Sequence, residues 1–146
     1  MSEATSPRQL VVFDLGDEQY ALPIGQVQEI IRYSEPRSVA SRVNWVKGVI
    51  SLRGQIIPVY DLAARLGVAS ALGSRAKIMI LDTGAEIAGV VVDSVDEVLT
   101  VAAEQIQPAP GVDSAAIEAI AKVGDRLIVL LNPFAVFTEP QLPAAA

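Results

Sequence analysis

The side chains most able to do chemistry in this 146-residue chain are three acids, Asp93, Asp96 and Glu97, that lie within five positions. Two carboxylates can act as general acid and base, and several together can bind a hard cation. Acid–base work requires carboxylates in different environments, and nothing in the sequence sets one apart. We expect a solvated bend at a strand end. A small-ligand-binding or hydrolytic β-barrel that uses these acids stays open as an alternative.

The residue types that most enzymes rely on are missing from the sequence. It contains no histidine and no cysteine, which excludes a Ser-His dyad, a thiol nucleophile and a Cys/His metal site. Its glycines occur singly and not in a phosphate-binding motif. We therefore predict no catalytic residue, no metal and no cofactor, and we expect that the chain is not an enzyme.

The charge balance restricts the partners. Eleven basic and seventeen acidic residues give a formal net charge of −6, and the sequence shows no run of Lys and Arg of the kind that nucleic-acid binders use. The start of the chain has no apolar signal segment, and no apolar run approaches the roughly 20 residues of a membrane-spanning helix. We expect a cytoplasmic protein that neither binds nucleic acid nor inserts into a membrane.

The elements that would position these side chains are mostly β-strands. Hydrophobic residues make up 51% of the chain and aromatic residues only 5%, so Val, Ile, Leu and Ala must form the core, and the first two of these favour strands. Paired apolar runs flank short turns, as in β-hairpins. These pairs are residues 10–15 and 19–24, 46–52 and 56–60, 77–81 and 86–92, and 117–123 and 127–131.

Few segments are predicted to be helical. Asp61 is placed to cap a short helix over residues 62–66 that Gly67 ends, and a second short helix begins near residue 133. Residues 26–31 suit either a helical turn or a bent strand. Short strands with Gly-containing turns favour small barrels. The halves on either side of residue 70 each contain paired hairpins and a short helix, which suits two five-stranded lobes around one core.

Several ordered motifs resemble one known family. Residues 48–62 (GVISLRGQIIPVYDL) closely resemble the signature of the CheW family. Upstream, residues 13–30 are similar to the family's opening motifs, and downstream the matching motifs fall within residues 89–95, 106–110 and 125–132. The resemblance covers residues 8–138, with flexible tails expected at residues 1–7 and 139–146.

The resemblance implies a mainly β fold, with two SH3-like five-stranded β-barrel lobes that share a hydrophobic core and a few short helices. It implies a non-catalytic adaptor between the cytoplasmic tip of a methyl-accepting chemoreceptor and the regulatory domain of the histidine kinase CheA. Such a protein would be cytoplasmic and associated with receptor arrays at the inner membrane. A CheW-like scaffold of another receptor–kinase pathway, such as type IV pilus control, is the alternative.

The resemblance also assigns receptor-binding residues. Val27, Glu29, Gly48 and Arg53 match positions at which family members contact the receptor, and Val91 is a further candidate for the wall of the binding groove. Each has a structural alternative, because the two valines are equally suited to the core and Gly48 to strand packing or a bulge.

Arg53 is the strongest candidate, because an arginine in a turn has little intrinsic structural duty there. Its alternative role is an ion pair with Glu29 or Asp61 that braces the hairpin. The kinase-binding residues are not predicted. Gln107 and Val112 stand where array-forming members often have a basic and an aromatic residue, so the resemblance does not extend to the formation of extended rings.

Overall fold

The computed structural model describes residues 7–84, 86–108 and 116–136. The predicted tails, residues 1–7 and 139–146, lie outside this part of the chain except for residue 7. Strands dominate the described residues, which confirms the predicted mainly β class. Within this part of the chain, no helix is long and apolar enough to cross a bilayer.

The strands follow the predicted hairpins closely. In chain order they are β1 (Arg8–Leu15), β2 (Glu18–Pro23), β3 (Val27–Arg32), β4 (Val46–Leu52), β5 (Gln55–Asp61), β6 (Lys77–Asp82), β7 (Ile87–Val92), β8 (Ser94–Val101), β9 (Ile106–Gln107), β10 (Ile117–Val123) and β11 (Arg126–Leu131). The helices are α1 (Leu62–Leu66), α2 (Pro133–Val136) and single 3-10 turns at Ile24–Gln26 and Ala103–Gln105. The segment that suited a helical turn or a bent strand is therefore a strand, β3.

These strands form two sheets. The first sheet has the order β8-β1-β2-β11-β10-β9, and the second sheet has the order β3-β6-β7-β5-β4. Most neighbours are antiparallel, but β2 pairs with β11 and β5 pairs with β7 in parallel. The sheets do not follow the two halves of the sequence, because the first sheet combines strands from both ends of the chain. Its sixth strand, β9, contains only two residues.

The strands at the centre of each sheet are apolar on both faces, as expected for sheets that are covered on both sides. Along β1, Val11 and Phe13 face a large core shared by the two sheets, whereas Leu10 and Val12 belong to a separate cluster of the first sheet. The second sheet behaves similarly, because Met79 faces the shared core and its neighbour Ile78 faces a third cluster. One core therefore holds the two sheets together.

The two outer strands of the second sheet, β3 and β4, are brought together by the connection between them. Arg37 lies in this connection and exchanges two backbone hydrogen bonds of 2.9 Å with Val49 of β4. The approach is so close that a Cβ atom on Gly48 would lie 2.0 Å from the carbonyl oxygen of Arg37. The pairing of β4 with β5 also shifts register between Val46 and Gly48. Gly48 is therefore required by the fold itself.

The predicted ends of α1 are present. Asp61 Oδ1 accepts a hydrogen bond of 3.1 Å from the backbone N–H of Ala64, and Gly67 ends the helix. Arg65 of α1 donates from Nε to the carbonyl oxygen of Val136 at 2.8 Å, which fastens α2. Asp61 is thus engaged in capping, and Arg53 forms its ion pair with a different acid.

Two glycine substitutions test the close approach at Gly48. We expect Gly48→Ala to destabilise the protein by about 3 kcal/mol or more, because the new methyl group collides with backbone. Gly54→Ala is the matched control, because Gly54 has φ 82° but no atom within 4 Å of its Cβ position, and only the backbone cost of about 1 kcal/mol applies. Urea unfolding measures both values, and equal losses would contradict the assigned contact.

Candidate functional site

The turn between β4 and β5 has an unusual residue in it. The pairing of Leu52 with Gln55 leaves Arg53 and Gly54 as the two turn residues, and their φ angles are 52° and 82°. Two-residue hairpin turns with two positive φ angles favour Asn, Asp or Gly. Arginine is a poor choice for this backbone conformation, so the reason for it must lie in its side chain.

The side chain of Arg53 forms a two-pronged ion pair with Glu29. Nη1 contacts Oε1, and Nη2 donates to Oε2 at 3.0 Å. Glu29 lies on β3 and Arg53 follows β4, so the pair joins the two outer strands of the second sheet. Of the two acids expected as possible partners, Glu29 is therefore the one used.

The ion pair changes the acidity of both groups. Hydrogen bonds from Arg53 hold the pKa of Glu29 below its ordinary value, against the opposing effect of desolvation, and the positive charge adds to the lowering. The hydrogen bond to Glu29 and its negative charge raise the pKa of Arg53. Both groups therefore stay charged throughout the neutral pH range.

Arg53 remains available to a partner while it holds Glu29. Its side chain is 71% exposed, whereas that of Glu29 is 28% exposed. A guanidinium group has five N–H donors, and the ion pair uses two of them. The remaining donors can bind carbonyl or carboxylate oxygens of another molecule, with the group already held in place by Glu29.

An apolar residue lies beside this turn that sequence reasoning missed. Ile56 pairs with Ser51, one step from the turn, and is 69% exposed. The alternation in β5 could have indicated it, because Ile57 and Val59 are buried and Ile56 must then point outward. Ile56 points to the opposite face of the second sheet from Glu29, because Val59 and Ile80, the register partner of Glu29, belong to the same cluster. We call Arg53 and Glu29 the Arg53 surface.

The two candidate valines lie mainly inside the protein. Val27 is half-buried and packs against the shared core. Val91 is 3% exposed and belongs to the third cluster. It also borders a cavity of about 240 Å³ between α1, β7 and residues 68–72. Neither valine presents a large free surface, so their expected contacts with a partner stay predictions.

Gly48 is buried. A close backbone approach is made to it by Arg37 of the same chain. The structural alternative for this residue therefore has a defined contact, and a contact with a receptor stays a prediction. Gln107 is an exposed residue of β9, and Val112 lies outside the described residues.

The three acids at positions 93, 96 and 97 are engaged in structural contacts. Asp93 accepts hydrogen bonds from the backbone N–H of Gly16 at 2.8 Å and from the Ser70 hydroxyl. Asp96 and Glu97 lie 3.9 Å and 2.9 Å from Arg126 Nη2. In the described part of the chain, no three acids are grouped to hold a metal ion. These three acids therefore serve to hold segments of the chain together through hydrogen bonds and ion pairs.

An open depression of about 400 Å³ lies next to Asp93 and Asp14. Both of its acids have hydrogen-bond partners. Asp14 accepts a hydrogen bond of 2.8 Å from the Ser94 hydroxyl and one of 3.3 Å from the side-chain amide of Gln19. A general acid or base needs a proton that it can exchange with a substrate, and here hydrogen bonds within the chain occupy the oxygens. The depression therefore gives no support to the hydrolytic alternative.

Comparison with known proteins identifies the family. The model of the CheW-like domain matches residues 9–141. The chain belongs to the CheW-like family. It is 34% identical to a probable chemotaxis protein CheW of Rhizobium etli, over 94% of this chain and 92% of that protein. It is 33% identical to the chemotaxis protein CheW of Klebsiella aerogenes, over 88% and 80%.

The fold agrees with a solved structure from this family. The scaffolding protein TtCheW from Thermoanaerobacter tengcongensis is similar with a TM-score of 0.81 and 35% identity, over 86% of this chain and 89% of that one. CheW-like proteins are non-catalytic scaffolds of chemotaxis signalling, and this chain shares that role. The family, the mainly β fold and the scaffold function predicted from the sequence are confirmed.

The ion pair predicts a pH effect. Because the pKa of Glu29 is lower in the folded protein than in the unfolded chain, the pair stabilises the fold above the unfolded pKa, and this contribution disappears as pH falls through the folded pKa. We expect NMR titration to give a pKa for Glu29 below the ordinary value of about 4.3. In Arg53→Ala the pKa should rise towards that value, and an unchanged pKa would mean that the pair is absent in solution.

The hydrogen bonds of Asp93 predict an effect on the stability of the fold. Asp93→Ala removes two acceptors and should cost about 1–3 kcal/mol in urea unfolding. Asp93→Asn should cost less, since the amide oxygen can accept from Gly16 while its NH₂ group donates to Ser70. Equal losses in the two variants would show that these hydrogen bonds are not what holds the segment.

Proposed function

We propose that this scaffold couples the cytoplasmic tip of a methyl-accepting chemoreceptor to the regulatory domain of the histidine kinase CheA, and that the Arg53 surface contacts the receptor. The observation that supports this most directly is the conformation of Arg53. An arginine is kept in a turn that favours Asn or Gly, and most of its side chain faces solvent. A residue in an unfavourable backbone conformation is a reason to look for function.

The Arg53 surface has the composition of a recognition site. A receptor tip is a helical hairpin, and a helix binds through an apolar stripe flanked by polar contacts. Arg53 offers several hydrogen-bond donors, and Ile56, three positions further along the chain, offers a large exposed apolar side chain near the turn. Arginine is enriched at protein interfaces because its planar group binds carboxylates and carbonyls with two parallel bonds.

Glu29 serves this surface by holding Arg53 in position. Fixing a long side chain before binding reduces the conformational entropy that is lost on binding. Glu29 is only 28% exposed and already engaged, so its contribution to receptor affinity is indirect. Gly48 contributes in the same indirect way, since it lets the connection after β3 pack against β4, the strand that leads to Arg53.

The cellular setting follows from these partners. A protein that binds the cytoplasmic tips of receptors acts in the cytoplasm, next to receptor arrays at the inner membrane. The kinase contact requires a different surface from the receptor contact, because a coupling protein must hold both partners together. The first sheet has exposed apolar side chains at Val98 and Leu127, and these are available for such a contact.

Arg53→Asn is the sharpest test of the receptor contact. Asn suits the turn conformation, so the hairpin is retained while the guanidinium group is lost. We expect at least a tenfold weaker binding of a receptor cytoplasmic fragment, as for an interface arginine. The Tm should stay within about 2 °C of the original value. Calorimetry with the receptor fragment and with the kinase regulatory domain measures the two affinities separately.

Arg8→Asn is the matched control. Arg8 also pairs with an exposed acid, Glu118 at 3.0 Å, but it lies on the first sheet. This variant should bind the receptor fragment normally. Unchanged receptor affinity in Arg53→Asn would overturn the assigned contact, and failure of the original protein to bind either partner would overturn the proposed function.

A further inference from the structure

The charges of this acidic protein are divided between its two sheets. Residues 24–92, which contain the second sheet, carry eight basic and five acidic residues, a balance of +3. The described residues of the first sheet and its connections (7–23, 93–108 and 116–136) carry three basic and nine acidic residues, a balance of −6. Although the net charge of the chain is −6, the second sheet and its connections form a basic side and the first sheet and its connections form an acidic side.

The basic residues concentrate around β3 and β4. Residues 30–60 contain five basic residues and a single acid, Glu35. Arg32 is the register partner of Lys77 on β6, which places two cations next to each other. Lys47 Nζ lies 5.9 Å from the centre of the Tyr33 ring. Arg37, an exposed residue of the connection between β3 and β4, is held next to β4 by its backbone contact with Val49.

We call Arg32, Arg37, Lys47 and Lys77, together with the exposed apolar residues Ile30 and Val39, the edge seam. Within the part of the chain that the structure describes, none of its four cations forms an ion pair, whereas Arg8, Arg53 and Arg126 all do. Uncompensated cations next to exposed apolar groups are typical of a protein interface and not of a merely soluble surface.

We propose that the edge seam is a docking surface for an acidic segment of a protein partner, presented by the receptor fragment that contacts Arg53. The charge of the seam favours an acidic partner, and like charges would oppose a basic one. Its continuity with the Arg53 surface, through β3 and β4, favours the receptor over the kinase. Ile30, 40% exposed, and Val39, 45% exposed, favour a protein over a purely polar polyanion. This inference rests on the proposed function.

The main effect of the seam is on the rate of association. Unpaired cations attract an acidic partner over about one Debye length, roughly 8–10 Å at physiological salt. The acidic first sheet repels the same partner, so the molecule approaches with its basic side forward. Attraction of this kind raises the association rate and makes it sensitive to salt.

Paired charge reversals test the seam. We expect Arg32→Glu with Arg37→Glu to slow association with the receptor fragment by about tenfold at low salt and to flatten the salt dependence. Arg8→Glu with Lys122→Glu changes the net charge equally on the first sheet, away from the seam, and should have a much smaller effect. Stopped-flow measurements at several salt concentrations give the rates. Equal slowing in the two double variants would overturn the inference.

A second experiment separates this inference from the proposed function. A 20-residue glutamate-rich peptide, added to the ¹⁵N-labelled full chain, should shift the amide signals of the seam and leave the first sheet unchanged. If the receptor fragment does not bind but the peptide shifts the seam, the seam stands as a site for an acidic segment, and the receptor as its partner fails together with the proposed function. Peptide shifts elsewhere, no shifts, or a preference of the seam for anionic lipid vesicles or duplex DNA would overturn the inference.

Discussion

The close approach of Arg37 to β4 is the constraint on which the functional surface depends. Because Gly48 has no side chain, the connection after β3 can lie against β4 and exchange two hydrogen bonds with Val49. This contact brings the outer strands of the second sheet together. Glu29 and Arg53 pair across these two strands, and three cations of the edge seam, Arg32, Arg37 and Lys47, lie on the elements that meet here. A surface for binding is thus created by a purely internal backbone contact.

Local structure was predictable because it depends on neighbouring residues. The hairpins, the Asp61 cap and the end of α1 at Gly67 all follow from patterns that span fewer than twenty residues. The partition into sheets was not predictable, since the parallel pairing of β2 with β11 joins Tyr20 to Val129. The hydrophobic periodicity of a sequence does not indicate which distant strands will pair. The similarity of the two halves on either side of residue 70 indicated two lobes around one core, but it did not indicate which strands belong to each sheet.

The candidate site was predictable only where one residue type stood out. Arg53 was predictable as a candidate because arginine has little structural duty in a Gly-containing turn. Its partner Glu29 was one of the two acids expected to pair with it. The burial of Val91 was one of its two expected outcomes, and the uninterrupted apolar run of β7 is typical of a strand that is covered on both faces. The basic surface formed around positions 32, 37, 42 and 47 was not predictable, since a five-residue spacing matches neither the helix period nor the strand period.

The interleaved topology has a consequence for how the chain is made. The second sheet runs continuously from Val27 to Val92, so every strand that it needs has been synthesised before β8 exists. The first sheet must wait, because β1 and β2 pair with each other early but their outer partners, β8 and β11, are synthesised later. Domains generally fold as units while synthesis proceeds. The hairpin of β1 and β2 therefore lacks its neighbouring strands during most of translation. The second sheet is the apolar surface against which it can pack in the meantime.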